Sequence, residues 1–396
     1  MDDVAFHPSA PLPAPPDPWE GSSVPPVRPG PPYRMTEMIA AEPALARRLL
    51  GRLASPGPAM RLGAAIREAA LASEPVIVTG CGTSEHGAMA MAAILRDVLR
   101  QTVLPSVGLL VQSRQAFEAA LDPQPTGICL GISHEGGTWA TNLAMEMAAK
   151  AGATVALVSA SDRSPGAALA EIVVTTDEMD QSWCHTIGYV SPILAAAAIA
   201  AHVAETPAET DSIAELLADG IDEAAATALA EGLAWPSRLT IVASGADVPS
   251  AHELALKIEE GAWLPSTARE LETFLHGHLA ATDETTGLVL ILTDRDHRDE
   301  RIARARALLA AARVVGMRAG AIVAEGVAEA IEPKLLPAGR MIVPEAPALP
   351  APVAALLGTV TPLQLLAERL ARVRGTNPDP IRRDDPRYLE AAEAAG

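Results

Sequence analysis

Val76-Ile77-Val78-Thr79-Gly80-Cys81-Gly82-Thr83-Ser84 is an apolar run that breaks into glycine and small hydroxyls and then opens a helical segment. Hydrophobicity that is continuous rather than alternating suits a strand covered on both faces, the condition of a parallel sheet. The glycines allow a tight turn. The hydroxyls of Thr83 and Ser84 and the backbone N–H groups that follow could surround the anionic or hydroxylated end of a small ligand, helped by the positive end of the helix dipole. Ser84 would equally serve as a helix cap. The stretch predicts an open α/β sheet with a ligand loop at the carboxyl end of its first strand.

The pattern continues outward on both sides. Short apolar runs at 128–132 and 154–158 alternate with helical stretches at about 85–99, 138–151 and 189–203. After Glu205-Thr206-Pro207 the order repeats. A helical lead-in (213–232) precedes Leu239-Thr240-Ile241-Val242-Ala243, a Gly245 turn and a helix at about 249–263. Strands are then predicted at 288–292, 321–323 and 340–343, and a last helix at about 361–373. Two similar halves imply an internal duplication with its hinge near residue 208. The expected division is a proline-rich disordered tail (1–33), a first domain (34–207), a second (208–380) and a C-terminal tail (381–396). The tail is rich in Pro-Pro steps and poor in aliphatics, the composition of a polyproline-biased segment outside any core.

Composition narrows the function classes. A chain of 396 residues, nearly half of them apolar, is long enough for two or three cores. The formal charge of −19, with lysine only at 150, 257 and 334, argues against nucleic-acid and anionic-membrane partners. No unbroken run of eighteen apolar residues appears, so no spanning helix is expected. Cys81, Cys129 and Cys184 are widely spaced and suggest free thiols in a reducing, cytoplasmic setting. Cys184 and His185 are adjacent, and adjacent loop residues seldom converge on one ion, so no metal or cofactor is expected.

Two further motifs carry chemistry. The strand at 128–132 ends in Ser133-His134-Glu135-Gly136-Gly137-Thr138, a second candidate loop. Further on, Glu253-Leu254-Ala255-Leu256-Lys257-Ile258-Glu259-Glu260 forms a charged helix, and Leu275-His276-Gly277 follows it. Together with C-G-T-S-x-H at the first loop, these motifs resemble the double sugar-isomerase (SIS) domain family, which includes the isomerase half of glucosamine-6-phosphate synthase. The resemblance spans about residues 35–390. It implies two tandem α/β/α sandwich domains of flavodoxin-like character, a small sugar or sugar-phosphate ligand, and a homodimer with composite sites, since relatives contribute the histidine across the dimer.

Carried over position by position, the resemblance implies substrate contacts at Cys81, Gly82, Thr83 and Ser84, and at Ser133, His134, Glu135 and Thr138. Glu135 replaces the family's middle serine in S-x-S-G-x-T. A carboxylate among phosphate donors sets like charges against each other. Either it points away from the pocket, as a Glu favoured at a helix N-terminus, or it is protonated, or the ligand's tail is a hydroxyl, an amine or another neutral group. In the second half, E-L-A-L-K-I-E-E matches the family's E-G-A-L-K-L-K-E. This match aligns Glu260 with the proton-transfer glutamate, Lys257 with a lysine near the sugar, and His276 with the ring-opening histidine. A glutamate in a partly apolar pocket suits the proton shuttle between C1 and C2, and a histidine suits ring opening. Between the halves Thr186 matches, but Ile187 stands where a lysine is usual, and Trp183 and Tyr189 are expected to pack. At the C-terminus Gly375-Thr376-Asn377-Pro378-Asp379 keeps the family's look, but no lysine follows Lys334, which argues against aminotransferase chemistry. The function implied is an aldose–ketose isomerase or aminosugar isomerase/deaminase. Its rivals are a non-catalytic carbohydrate sensor acting through a protein partner and an enzyme on an unphosphorylated derivative.

Overall fold

In the computed structural model, which describes residues 6–22, 28–103 and 106–395, the chain divides into two compact units. The first comprises residues 6–22, Pro43–Asp180 and Ile187–Ala214. The second comprises residues 28–42, Gln181–Thr186 and 215–395. The division is therefore not the single cut expected near residue 208. It falls at Ala214, inside a helix, and two short N-terminal and central stretches belong to the second unit.

The first unit is built on five parallel strands, β1 (Val76–Gly80), β2 (Val111–Gln115), β3 (Ile128–Ile132), β4 (Thr154–Ser159) and β5 (Ile172–Thr175), in the order β2-β1-β3-β4-β5. Every residue of β1 and β3 is buried, as their unbroken apolar character requires. The chain's first helix, α1 (Arg34–Leu53), leads into helices α2 (Pro58–Leu71), α3 (Thr83–Thr102), α4 (Ala116–Leu121), α5 (Trp139–Ala151) and α6 (Ile187–Ala204). Helix α3 packs on α6, where Gly87 lets the ring of Pro192 approach closely.

The second unit repeats the plan. Helices α7 (Thr210–Asp219) and α8 (Glu223–Gly232) precede β6 (Arg238–Ala243). Then come α9 (Val248–Ala262), β7 (Ser266–Glu270), α10 (Leu271–Leu275), β8 (Thr286–Leu292), α11 (Arg298–Val315), β9 (Arg318–Ala324), α12 (Glu325–Ala330), β10 (Gly339–Val343), α13 (Ala351–Arg374) and α14 (Pro386–Ala394). The sheet order β10-β9-β8-β6-β7 is the first unit's order read from its other edge, and all pairings are again parallel. Leu288, Leu290 and Leu292 of β8 and the apolar face of α11 belong to one continuous core.

Three strands, β2, β5 and β7, were not expected from hydrophobicity. All three lie at sheet edges, where one flank needs no apolar cover, and Val-Gln-Ser-Arg-Gln and Ser-Thr-Ala-Arg-Glu are polar accordingly. By length and mean hydropathy α6 and α13 could each cross a membrane, although neither is an unbroken apolar run. Of their most apolar windows, 83% and 94% is buried in the fold, the property of core helices. The expected disorder of the N-terminal tail also fails for residues 6–22. Leu12 is buried, its N–H donates to Glu178 Oε2 (2.8 Å), and Pro13 O accepts from Met179 N (2.9 Å). Residues 1–5 and 23–27 of the tail lie outside the described residues.

Candidate functional site

In an open sheet of order 2-1-3-4-5, ligands bind beyond the carboxyl ends of the strands at the switch between the first and third. Both motif loops of the first unit stand there. After β1, Gly82 takes φ +56° and ψ −128°, a conformation that excludes any residue with a Cβ, and α3 starts at the next residue. Cys81 O accepts from Ser84 N (3.1 Å), and Gly82 O accepts from Glu85 N (2.9 Å). Thr83 is buried and Ser84 half-buried. The Cys81 thiol accepts from Thr141 Oγ1 (3.9 Å) and Gln115 Nε2 (4.0 Å), and burial holds it protonated by raising its pKa. Its side chain thus braces α5 and β2, and only its backbone shapes the loop. Burial likewise raises the Glu85 carboxyl, against the opposing pull of His86.

After β3, Ser133 is buried. Its hydroxyl donates to Thr138 Oγ1 (3.2 Å) and accepts from Gly136 N (3.1 Å). Gly136 has φ +76°, and a Cβ there would collide with Ser164 Oγ. Thr138 is exposed and starts α5 as its N-cap residue. His134 Nε2 accepts from Asp180 N (3.0 Å), which ties the imidazole to the segment after β5. Glu135 does not turn among the loop's donors. Its Oε2 accepts from Ser22 N (3.0 Å) and its carbonyl accepts from the Trp19 indole N–H (2.9 Å). Of the alternatives for Glu135, the structure shows the side chain anchoring the N-terminal segment.

In the second unit the equivalent switch point is filled by protein. Buried Asp247 accepts from Thr293 N (2.7 Å) and Asp294 N (2.9 Å), while Asp294 pairs with Arg301 and accepts from Ala246 N (2.8 Å). The charged cluster lies instead on α9. Lys257 is fully buried, with Nζ 2.6 Å from Glu260 Oε2 and 3.5 Å from Glu253 Oε1. Burial alone would lower the ammonium's pKa, but the charges of Glu260 and Glu253 outweigh it and hold it above its ordinary value. Glu260 is 22% exposed and lines a cleft of about 430 Å³ with Glu259, Trp263, Arg382 and Tyr388. The Arg382 guanidinium lies 4.5 Å from the Trp263 ring centre and 4.1 Å from that of Tyr388, a cation held between two aromatic faces.

His276 is not brought to this cluster. Its side chain is 75% exposed and lies 3.5 Å from Glu272 Oε1, and Glu272 is in turn held by Arg304. Among the described residues no hydrogen bond or ion pair joins His276 to Glu260. Tyr189 is fully buried and Arg383 stacks on Trp183 at 4.4 Å, so both aromatics pack as expected. Trp263, Arg382 and Tyr388 were missed. Arg382 and Tyr388 lie in one arginine-rich stretch near the C-terminus, but nothing local in the sequence links them to Trp263.

Two parallel five-stranded sheets of the same order, flanked by helices, give the tandem sugar-isomerase (SIS) fold. The C-terminal domain of glucosamine-fructose-6-phosphate aminotransferase from Francisella tularensis shares it with a TM-score of 0.75 at 17% identity, covering 89% of this chain and 99% of that one. Tagatose-6-phosphate ketose/aldose isomerase from Escherichia coli shares it with a TM-score of 0.70 at 18% identity, over 88% and 95%. In sequence, 328 residues are 27% identical to glutamine–fructose-6-phosphate aminotransferase (isomerizing) of Pyrobaculum aerophilum. That match covers 79% of this chain, which spans about half (51%) of that relative's length. No protein-family profile matches the chain.

Proposed function

We propose that this chain binds a sugar or sugar derivative and shuttles a proton between its carbonyl carbon and the neighbouring carbon, as an aldose–ketose isomerase or an aminosugar isomerase/deaminase. The observation that carries the reading is Glu260 at the edge of a cleft, with one carboxylate oxygen held by a buried ammonium. Glu253, Lys257 and Glu260 together carry one excess negative charge when ionised, so the uptake of one proton by Glu260 neutralises the cluster. That is the charge balance a general base needs. Lys257 fixes the carboxylate, and Arg382 supplies a positioned cation beside it where an enediolate oxygen would gain charge. In the first unit, Ser84, Ser133 and Thr138 are proposed as sugar contacts of that unit's own loops. His276 would open the ring from a second copy of the chain, which makes the active species a homodimer. Three free thiols suit a reducing cytoplasmic setting.

Glu260→Gln tests the reading through solvent-deuterium incorporation at C2 of a panel of hexoses, aminosugars and their 6-phosphates. Exchange should fall by roughly 10²–10⁴-fold while ligand affinity is kept. Unchanged exchange would remove Glu260 from the mechanism. The pairing of His276 with Glu272 favours a second reading, a non-catalytic sensor acting through a partner. Binding without any deuterium incorporation by the native chain would select it.

A further inference from the structure

Arg382 is held by its faces, and its donors are left over. The guanidinium carbon lies over the Trp263 and Tyr388 rings at 4.5 and 4.1 Å. Among the described residues no hydrogen bond or ion pair joins its N–H groups to a protein acceptor. Yet acidic residues outnumber basic ones in this chain, 49 to 30. The carboxylates that line the cleft or follow in its last segment are each taken. Glu260 accepts from Lys257 Nζ (2.6 Å), Glu259 from Ser266 N (3.1 Å) and Asp385 from Arg387 (2.6 Å). The bonds from Arg387 hold the Asp385 carboxyl down at about 2, and the charge of Arg382 adds least to that shift. Trp263, which lines the same cleft, has a buried indole N–H that also lacks an acceptor. Ile381 and Arg382 both take left-handed backbone angles, φ +43° and +65°, which a β-branched residue adopts only under strain. Such strain collects where a side chain is held for a task.

We propose that Arg382 receives a carboxylate of the ligand, so that the sugar taken into this cleft is a sugar acid. The inference rests on the sugar-binding reading of the cleft and adds the chemical class of the sugar. Two rings cover the flat faces of the guanidinium and leave its edge, where the N–H donors form a planar fork that matches a carboxylate bidentately. Glu260 has its countercharge in the buried ammonium, whereas Arg382 has none, and a ligand carboxylate supplies it. A phosphate fits the fork as well, but it brings up to two negative charges against Glu259 and Glu260 in the same cleft, where a carboxylate brings one. The guanidinium has donors enough for an enediolate oxygen beside the carboxylate, so its part in the proton transfer is kept.

The test follows the Arg382 Nε–H resonance in NMR spectra of the full chain, assigned by its loss in Arg382→Gln, during titration with acetate, glucuronate, glucose and glucose 6-phosphate. Glucuronate should move the resonance and bind roughly 10–100-fold more tightly than glucose, the worth of one charge-assisted bonding partner. Arg382→Gln should lose that margin. Arg382→Lys keeps the charge without the planar fork and should retain part of it, which guards against a variant whose last segment has merely come loose. Equal affinity for glucuronate and glucose, a resonance that neither carboxylate moves, or tighter binding of glucose 6-phosphate than of glucuronate would overturn the proposal. The acetate arm judges the carboxylate site without a sugar. Failure of the sugar-binding reading would show separately, as glucuronate moving the resonance with no higher affinity than acetate.

Discussion

Lys257 is the residue on which the second unit's chemistry and stability meet. A lone ammonium with no exposure would shed its proton, and only the carboxylates at 2.6 and 3.5 Å keep it charged. Removing it leaves Glu253, also fully buried, with a charge that the cation no longer offsets. Lys257→Met should therefore cost about 3–5 kcal/mol in a urea melt. A loss below about 1 kcal/mol would show that the cluster holds no net charge. The lysine and its glutamates were legible in the sequence because their three- and four-residue spacings put them on one helical face. Arg382 was not. It meets Trp263 only because the chain beyond α13 folds back on α9, a contact between residues more than a hundred positions apart.

At the scale of elements, the carboxyl ends of the strands divide the labour. In the first unit, loops of glycine and hydroxyls shape the switch point. In the second, Asp247 and its partners close it. Complete burial raises the Asp247 carboxyl to about 6, even though bonds from Thr293 and Asp294 favour its charged form. The folded state thus holds this proton more tightly than the unfolded chain does. The resulting stability, ~3 kcal/mol, is present below about pH 4 and is lost as pH rises through about 6. Asp247→Asn should flatten the stability profile between those values, as measured by chemical melts at successive pH. An unchanged slope would mean that Asp247 does not titrate there. Hydrophobic periodicity located every central strand and missed three edge strands; two of them, Val111–Gln115 and Ser266–Glu270, are polar because an edge strand need not be apolar, while Ile172–Thr175 is apolar but only four residues long.

For the whole molecule, the proposal that an exposed His276 serves the site of a second copy of the chain has a direct test. Chains bearing Glu260→Gln and His276→Ala, each inactive alone, should recover roughly a quarter of native exchange activity when co-expressed, because half the dimers are hybrids with one intact site of two. No recovery would place both residues' work within one chain. The sequence by itself determined the duplicated α/β plan, the central strands and the motif loops, because each rests on local periodicity, turn chemistry or helical spacing. Tertiary structure alone decided the rest. It assigned residues 6–22 of the proline-rich tail to the first unit and 28–33 to the second, turned Glu135 away from its loop toward Ser22, set Arg382 and Glu260 along one cleft and drew the boundary at Ala214. Each of these depends on which distant groups meet after folding, and neither composition nor spacing encodes that.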